Sequence, residues 1–237
     1  MSHGEAPLRI AVVSAGISEP STTRMLADRA AERVVTRLRT SGRNVTVHVM
    51  ELAPIATEIA QSLVSGLTSP AVQQAIDALA GADAIIASAP VYKAGVSGLF
   101  KSFVDLLDND LLIATPVLLA ATGGSARHAM VADDHLRPLF AFLRAIPVPT
   151  SLFAAPEDWS NAELSKRIDR AAMELTALIT SGIGRDMATE GWENYQHSFG
   201  GNATRAQRTG TEIDLDTDLM RLATGQHSSL TSRPTTR

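Results

Sequence analysis

The chain has 237 residues, 45% of them hydrophobic and 19% charged, with no cysteine and a formal net charge of -4. Such a composition suits a globular protein with a buried core and gives no basic footprint for nucleic acid. The lack of cysteine excludes disulfides, thiolate zinc sites and Cys-x-x-Cys redox chemistry, so any electron handling must rest on a bound organic cofactor.

Leu8 to Val13 reads as a first strand. Met25, Leu26, Ala30, Val34, Val35 and Leu38 then recur at helical spacing, and Ser41-Gly42 ends that helix. Val45 to Val49, β-branched and alternating, predicts a second strand. Ile55 to Gly81 divides into two helical stretches at Thr68-Ser69-Pro70. Ala84 to Ala89 is an apolar third strand, Ser97 to Leu107 a helix, and Thr115 to Ala120 a fourth strand with Pro116 near its start. Ala126 to Ala145 is helical in period, with Pro138 expected to kink or divide it. Val148 to Phe153 reads as a short fifth strand and Asn161 to Thr180 as a final helix.

Alternating β and α units predict an α/β protein whose parallel sheet is covered on both faces, a three-layer sandwich. Ligand loops after the first and third strands fit a five-stranded parallel sheet in the order 2-1-3-4-5, the flavodoxin-like arrangement, with its switch point between those strands. Residues 1–182 are expected to form this domain. Residues 183–237 read as an extension, extended or disordered in part. Within it, Ile213, Leu215, Leu219, Met220 and Leu222 form a patterned piece suited either to packing on a neighbouring subunit or to disorder. On the Ser97–Leu107 helix, Leu99, Phe100, Phe103, Val104, Leu106 and Leu107 cover more than one face, which predicts a two-fold homodimer. Residues 1–7 show neither the basic nor the apolar region of a secretory signal. No apolar run reaches the roughly 18 residues of a membrane span. A cytoplasmic protein without a membrane partner is expected.

Three segments at strand ends carry candidate chemistry. Ser14 ends the first strand and Ser21-Thr22-Thr23 opens the first helix, where hydroxyls and unpaired N–H groups make an anion site, or merely an N-cap. Ala89-Pro90-Val91-Tyr92-Lys93-Ala94-Gly95 follows the third strand. Pro90 fixes its own φ, Gly95 and Gly98 admit a close backbone approach, and Tyr92 offers an aromatic face; the segment is a platform for a flat cofactor or a plain turn. Ala121-Thr122-Gly123-Gly124-Ser125 follows the fourth strand, with glycines that let backbone N–H groups approach a ligand and Ser125 as N-cap of the next helix. His128, Asp133, Asp134 and His135 match no two-His zinc spacing, so no metal is expected.

In this order, from about Leu8 to Thr180, these segments resemble the NAD(P)H-dependent FMN reductase family. They are most similar to reductases that feed reduced flavin to a separate monooxygenase, of the alkanesulfonate type or partnered with luciferase-like monooxygenases. The resemblance implies FMN as cofactor, NADPH or NADH as co-substrate and a transient flavin-dependent monooxygenase partner. It puts the FMN phosphate at Ser14, Ser21, Thr22 and Thr23, and the isoalloxazine ring along Pro90, Val91, Tyr92, Lys93 and Ala94. Thr122, Gly123, Gly124 and Ser125 would take the flavin carbonyls or the nicotinamide side. No side chain is expected to act as a catalytic acid or base, because hydride transfer needs only the two rings aligned and water kept out. Two departures stand out. The first loop lacks the commoner Gly-Ser-x-Arg form, which bears on Ser18 and Arg24. Asp134 stands where the alkanesulfonate type carries a helix-bulging Tyr that helps assemble a tetramer, so assembly through that device is not expected; a homodimer is expected, with a tetramer as the alternative. The competing readings are an FMN-bound quinone or azo reductase, a flavodoxin-type electron carrier and a flavin-free interaction module.

Overall fold

The computed structural model describes residues 6–192. In chain order the elements are β1 (Leu8–Ser14), α1 (Thr22–Thr40), β2 (Val45–Glu51), α2 (Ala56–Ser65), α3 (Pro70–Ala80), β3 (Ala84–Tyr92), β4 (Gly95–Val96), α4 (Gly98–Val104) and β5 (Pro116–Thr122). A 3-10 turn at Ala126–His128 and a π-helical turn at Ala132–Leu136 lead into α5 (Arg137–Phe142). Then come β6 (Ile146–Pro147), β7 (Leu152–Ala154), α6 (Ala162–Ser181) and α7 (Ile183–Trp192).

The sheet runs β2-β1-β3-β5-β6, with β4 paired to β3 and β7 to β5, and every pairing except β3–β4 is parallel. This is the expected order 2-1-3-4-5 with its fifth position split in two. The split has a local cause. Pro149 can donate no ladder bond, and Thr150 turns its N–H to Glu174 Oε2 at 2.7 Å. The near-continuous apolar runs of β1, β3 and β5 are buried on both sides, as central parallel strands require. Leu26, Val34, Ile168 and Leu175 of α1 and α6 pack on one face. Ile76, Phe100, Phe103 and Phe140 of α3, α4 and α5 pack on the other. The result is a three-layer sandwich.

Four departures from the sequence reading matter. β3 does not stop at Ala89 but continues to Tyr92 and turns back as β4, so the segment read as a loop is a β-hairpin. The stretch Ala126–Ala145 is not one helix: it breaks into the 3-10 turn, the π-turn and α5, with Pro138 at the start of α5, where a missing N–H costs least. α4 ends at Val104, and Phe100, Phe103, Val104 and Leu107 are buried within the same subunit, leaving Leu99 and Leu106 half-buried. Finally, residues 183–192 form a helix in place of an extended tail. Gly184 of α7 sits so close to β5 that a Cβ there would meet the Ala114 carbonyl oxygen at 2.4 Å, and Arg185 reaches Asp83 at 3.7 Å. The patterned piece at Ile213–Leu222 lies outside the described residues. No described helix is long and apolar enough to cross a membrane.

Candidate active site

Three loops meet at the carboxyl ends of β1, β3 and β5. Strand register sets Ser14 beside Ser88 and Pro90 beside Thr122. The three separate motifs of the sequence therefore converge, and two of them touch: Thr23 Oγ1 and Thr122 Oγ1 lie 2.7 Å apart in the interior. Ser88 Oγ adds a hydrogen bond to the Thr23 carbonyl at 2.9 Å.

The first loop leads into the N-terminus of α1. It carries a cis Glu19–Pro20 peptide and ends at Ser21, whose Oγ caps α1 by accepting from the Arg24 N–H at 3.2 Å. A Cβ at Gly16 would stand 1.9 Å from Ser21 Oγ, so a side chain there would displace the capping hydroxyl. The loop thus folds tightly over its own cap. The first-turn N–H groups of Thr22 and Thr23 have no acceptor inside the helix and stand at its positive end. Thr22 is exposed, whereas Thr23 is buried and its hydroxyl is engaged by Thr122. Ser14 Oγ is buried without a hydrogen-bond partner among the described residues. Arg24 is not an anion ligand in waiting: it pairs with Asp28 at 2.7 Å and Glu51 at 3.0 Å, and the hydrogen bond to Asp28 raises its pKa above the usual guanidinium value.

The hairpin between β3 and β4 has a two-residue tip. Tyr92 pairs with Gly95, and the intervening Lys93 and Ala94 hold φ of 50° and 62°. Two successive left-handed residues make the primed turn that suits a hairpin, a place usually given to Asn-Gly. Here neither residue is glycine, so the turn stores about 1–2 kcal/mol per residue. Gly95 itself needs no unusual φ, and a Cβ there would make only an ordinary contact with His135 Cε1 at 3.7 Å. The left-handed backbone of this segment thus falls on Lys93 and Ala94 and not on Gly95. Tyr92 is 47% exposed beside the tip.

In the third loop the two glycines divide the work. The Gly123 N–H is bound to the Ala154 carbonyl at 3.1 Å, and a Cβ on it would press against the Phe153 ring at 3.1 Å. Gly123 is therefore a packing residue, whereas Gly124 has open space around it. Ser125 precedes a 3-10 turn and makes no side-chain cap bond, contrary to the expected N-cap role. The π-turn follows. Its bulge is present although Asp134 occupies the place of the expected Tyr insertion. Asp133 anchors it by accepting from Arg137 Nε at 2.9 Å and Ser151 Oγ at 2.9 Å. His135 is thereby set against Gly95 of the hairpin. Gly16 and His135 were both absent from the sequence-derived site. Gly16 was signalled by its place two residues after the strand-ending Ser14, whereas nothing local marked His135, whose position depends on the π-turn.

Residues 8–160 match the family described as NADPH-dependent FMN reductase. The NADH-dependent FMN reductase SfnF of Pseudomonas putida is 38% identical over 177 residues, covering 73% of this chain and 93% of that protein. An FMN reductase (NADPH) of Pseudomonas aeruginosa is 36% identical over 172 residues, covering 73% and 90%. Among solved structures, an oxidoreductase from Corynebacterium diphtheriae superposes with a TM-score of 0.72 at 40% identity, over 75% of this chain and 99% of that one. A flavodoxin, WrbA-like protein from Agrobacterium tumefaciens shares the fold, with a TM-score of 0.51 at 17% identity over 76% and 99%.

Proposed function

The chain belongs to the NADPH-dependent FMN reductase family, and from that premise we propose that it reduces FMN with NADPH or NADH and releases the reduced flavin to a separate monooxygenase. The observation that carries the reading is the cradle at the end of β1. A loop folded tightly over its own cap, a buried Ser14 hydroxyl with no partner among the described residues and a helix N-terminus fit a phosphate monoester. FMN, when bound, supplies the hydride-accepting ring. Ser14, Ser21, Thr22 and Thr23 would hold its phosphate. The hairpin Pro90, Val91, Tyr92, Lys93 and Ala94 would orient the ring, and Thr122, Gly124 and Ser125 would border its other edge. Gly123 supports that edge by packing on Phe153. A preset, strained hairpin suits a reaction whose rate depends on stacking geometry more than on acid or base groups. No general acid is assigned.

Release to a monooxygenase is supported by the family resemblance and by the openness of the rim at Tyr92. A cytoplasmic two-fold dimer is part of the same proposal. Beside α4 lies α2, which with the residues just after it exposes Val64 at 91% and Leu67 at 76%, an apolar surface a second subunit would cover.

The test is anaerobic titration of the flavin-stripped protein with FMN, following NADPH and NADH oxidation separately. Oxidation that saturates with free FMN, with reduced flavin recovered in the filtrate, is expected. FMN retained in stoichiometric amount and a faster reaction with quinones or azo dyes than with free FMN would favour the tightly bound alternative.

A further inference from the structure

Resting on the reductase reading, we infer that Lys93, Arg127 and His135 form the recognition site for the pyrophosphate of the nicotinamide dinucleotide. The flavin phosphate has its seat in the first loop, among Gly16, Ser21, Thr22 and Thr23. That leaves a second set of polar groups, on the other two loops, with no anion to serve. Lys93 stands at the strained tip of the β3–β4 hairpin, fixed by its φ of 50°. His135 lies against Gly95 of the same hairpin, its imidazole Cε1 3.7 Å and Nδ1 3.9 Å from where a Cβ would stand. Arg127 projects from the 3-10 turn that follows Gly124 and Ser125. All three are exposed, and none makes a hydrogen bond or ion pair with another described residue. The cations around them differ: Arg24 is held by Asp28 and Glu51, Lys101 by Asp105 and Arg137 by Asp133.

The placement of His135 is built, not incidental. The π-turn inserts one residue into the helical path, and π-bulges are frequent at functional sites. Asp133 and Arg137 clamp that turn to the gap between β6 and β7, where Arg137 donates to the Val148 carbonyl at 2.9 Å and the Pro149 carbonyl at 3.2 Å. Asp133 is neutralised by this pairing, which leaves Asp134 as the carboxylate of the turn without a partner among the described residues. A dinucleotide pyrophosphate offers several acceptor oxygens and two negative charges. A guanidinium meets it bidentately, an ammonium adds a point charge and an imidazole N–H donates one further bond. NADH and NADPH share this group, so the contact favours the dinucleotide as a class and does not choose between the two.

The test uses FMN-loaded protein and ADP-ribose, which carries the pyrophosphate but cannot reduce flavin. Its Kd is measured by calorimetry for the parent, Arg127→Gln, His135→Ala and His135→Gln, with KM for NADPH and NADH alongside. Loss of a charge-assisted bond should raise the ADP-ribose Kd and the dinucleotide KM about tenfold in Arg127→Gln. A smaller rise is expected in His135→Ala, partly restored by Gln, with FMN affinity within about twofold throughout. Unchanged ADP-ribose affinity in both positions overturns the assignment. So does an FMN Kd that rises in step, since that would place these residues at the flavin. A parent protein that binds FMN yet oxidises neither dinucleotide would bring down the reductase reading itself, a result visible before any variant is made.

Discussion

Ser14 and Thr23 illustrate how two buried hydroxyls in one site can have opposite consequences when removed. Thr23 is satisfied by Thr122, so Thr23→Val should strand the Thr122 hydroxyl in the interior and destabilise the protein by about 1–3 kcal/mol, read from the urea midpoint. Ser14 has no partner among the described residues, so Ser14→Ala should leave the flavin-free form as stable as the parent or up to about 1 kcal/mol more so. Its FMN affinity should nevertheless fall. A Ser14→Ala variant that binds FMN as the parent does would remove Ser14 from the phosphate site. Thr22, exposed on the first turn, should separate the two effects most cleanly: Thr22→Ala costs FMN affinity about tenfold with no change in the unfolding midpoint.

Among the elements, the β3–β4 hairpin and α7 make the sharpest predictions. Ala94 at φ 62° is the kind of position glycine occupies without strain. Ala94→Gly should therefore raise the unfolding free energy by about 1 kcal/mol while slowing flavin reduction in stopped-flow, because a freer tip no longer presets the ring platform. A stability gain with no kinetic loss would show that the strain has no part in the reaction. At α7 the constraint is steric. Gly184→Val would drive its side chain into the Ala114 carbonyl, a backbone atom that cannot rotate away. Undocking of the helix from the base of the sheet should follow, costing about 1–3 kcal/mol and raising hydrogen exchange around residues 183–192.

For the whole molecule, the α2–α4 surface bears on subunit assembly. The apolar excess read on α4 is largely absorbed by its own core through Phe100, Phe103 and Val104, so the exposed apolar surface has moved to the end of α2. Val64→Lys combined with Leu67→Lys should convert a sedimenting dimer to monomer at micromolar concentration with the fold intact. Dimerisation that survives both changes would place the interface elsewhere. At the base of the sheet, away from the strand-end loops, Arg144 pairs with Asp110 and α7 packs closely on Ala114.

Local pattern alone determined the architecture. The apolar runs of β1, β3 and β5 had to be buried on both faces, and the helical periods between them supply the covering layers, so the layered architecture was legible in the chain, while the strand order followed from its fit to a flavodoxin-like switch point. Boundaries slipped where two influences competed. Pro90 and Tyr92 looked like loop, yet pairing with β5 and β4 carried the strand to Tyr92. Only the tertiary structure decided the fine assignment within the site. Which glycine packs and which stays open rests on Phe153, distant in sequence. Which threonine is satisfied rests on the Thr23–Thr122 contact across the sheet. His135 reaches the hairpin only because Ser151 and Arg137 fix a π-turn that no periodicity announces. Such contacts join residues distant in sequence, and their geometry comes into being only when the sheet has closed.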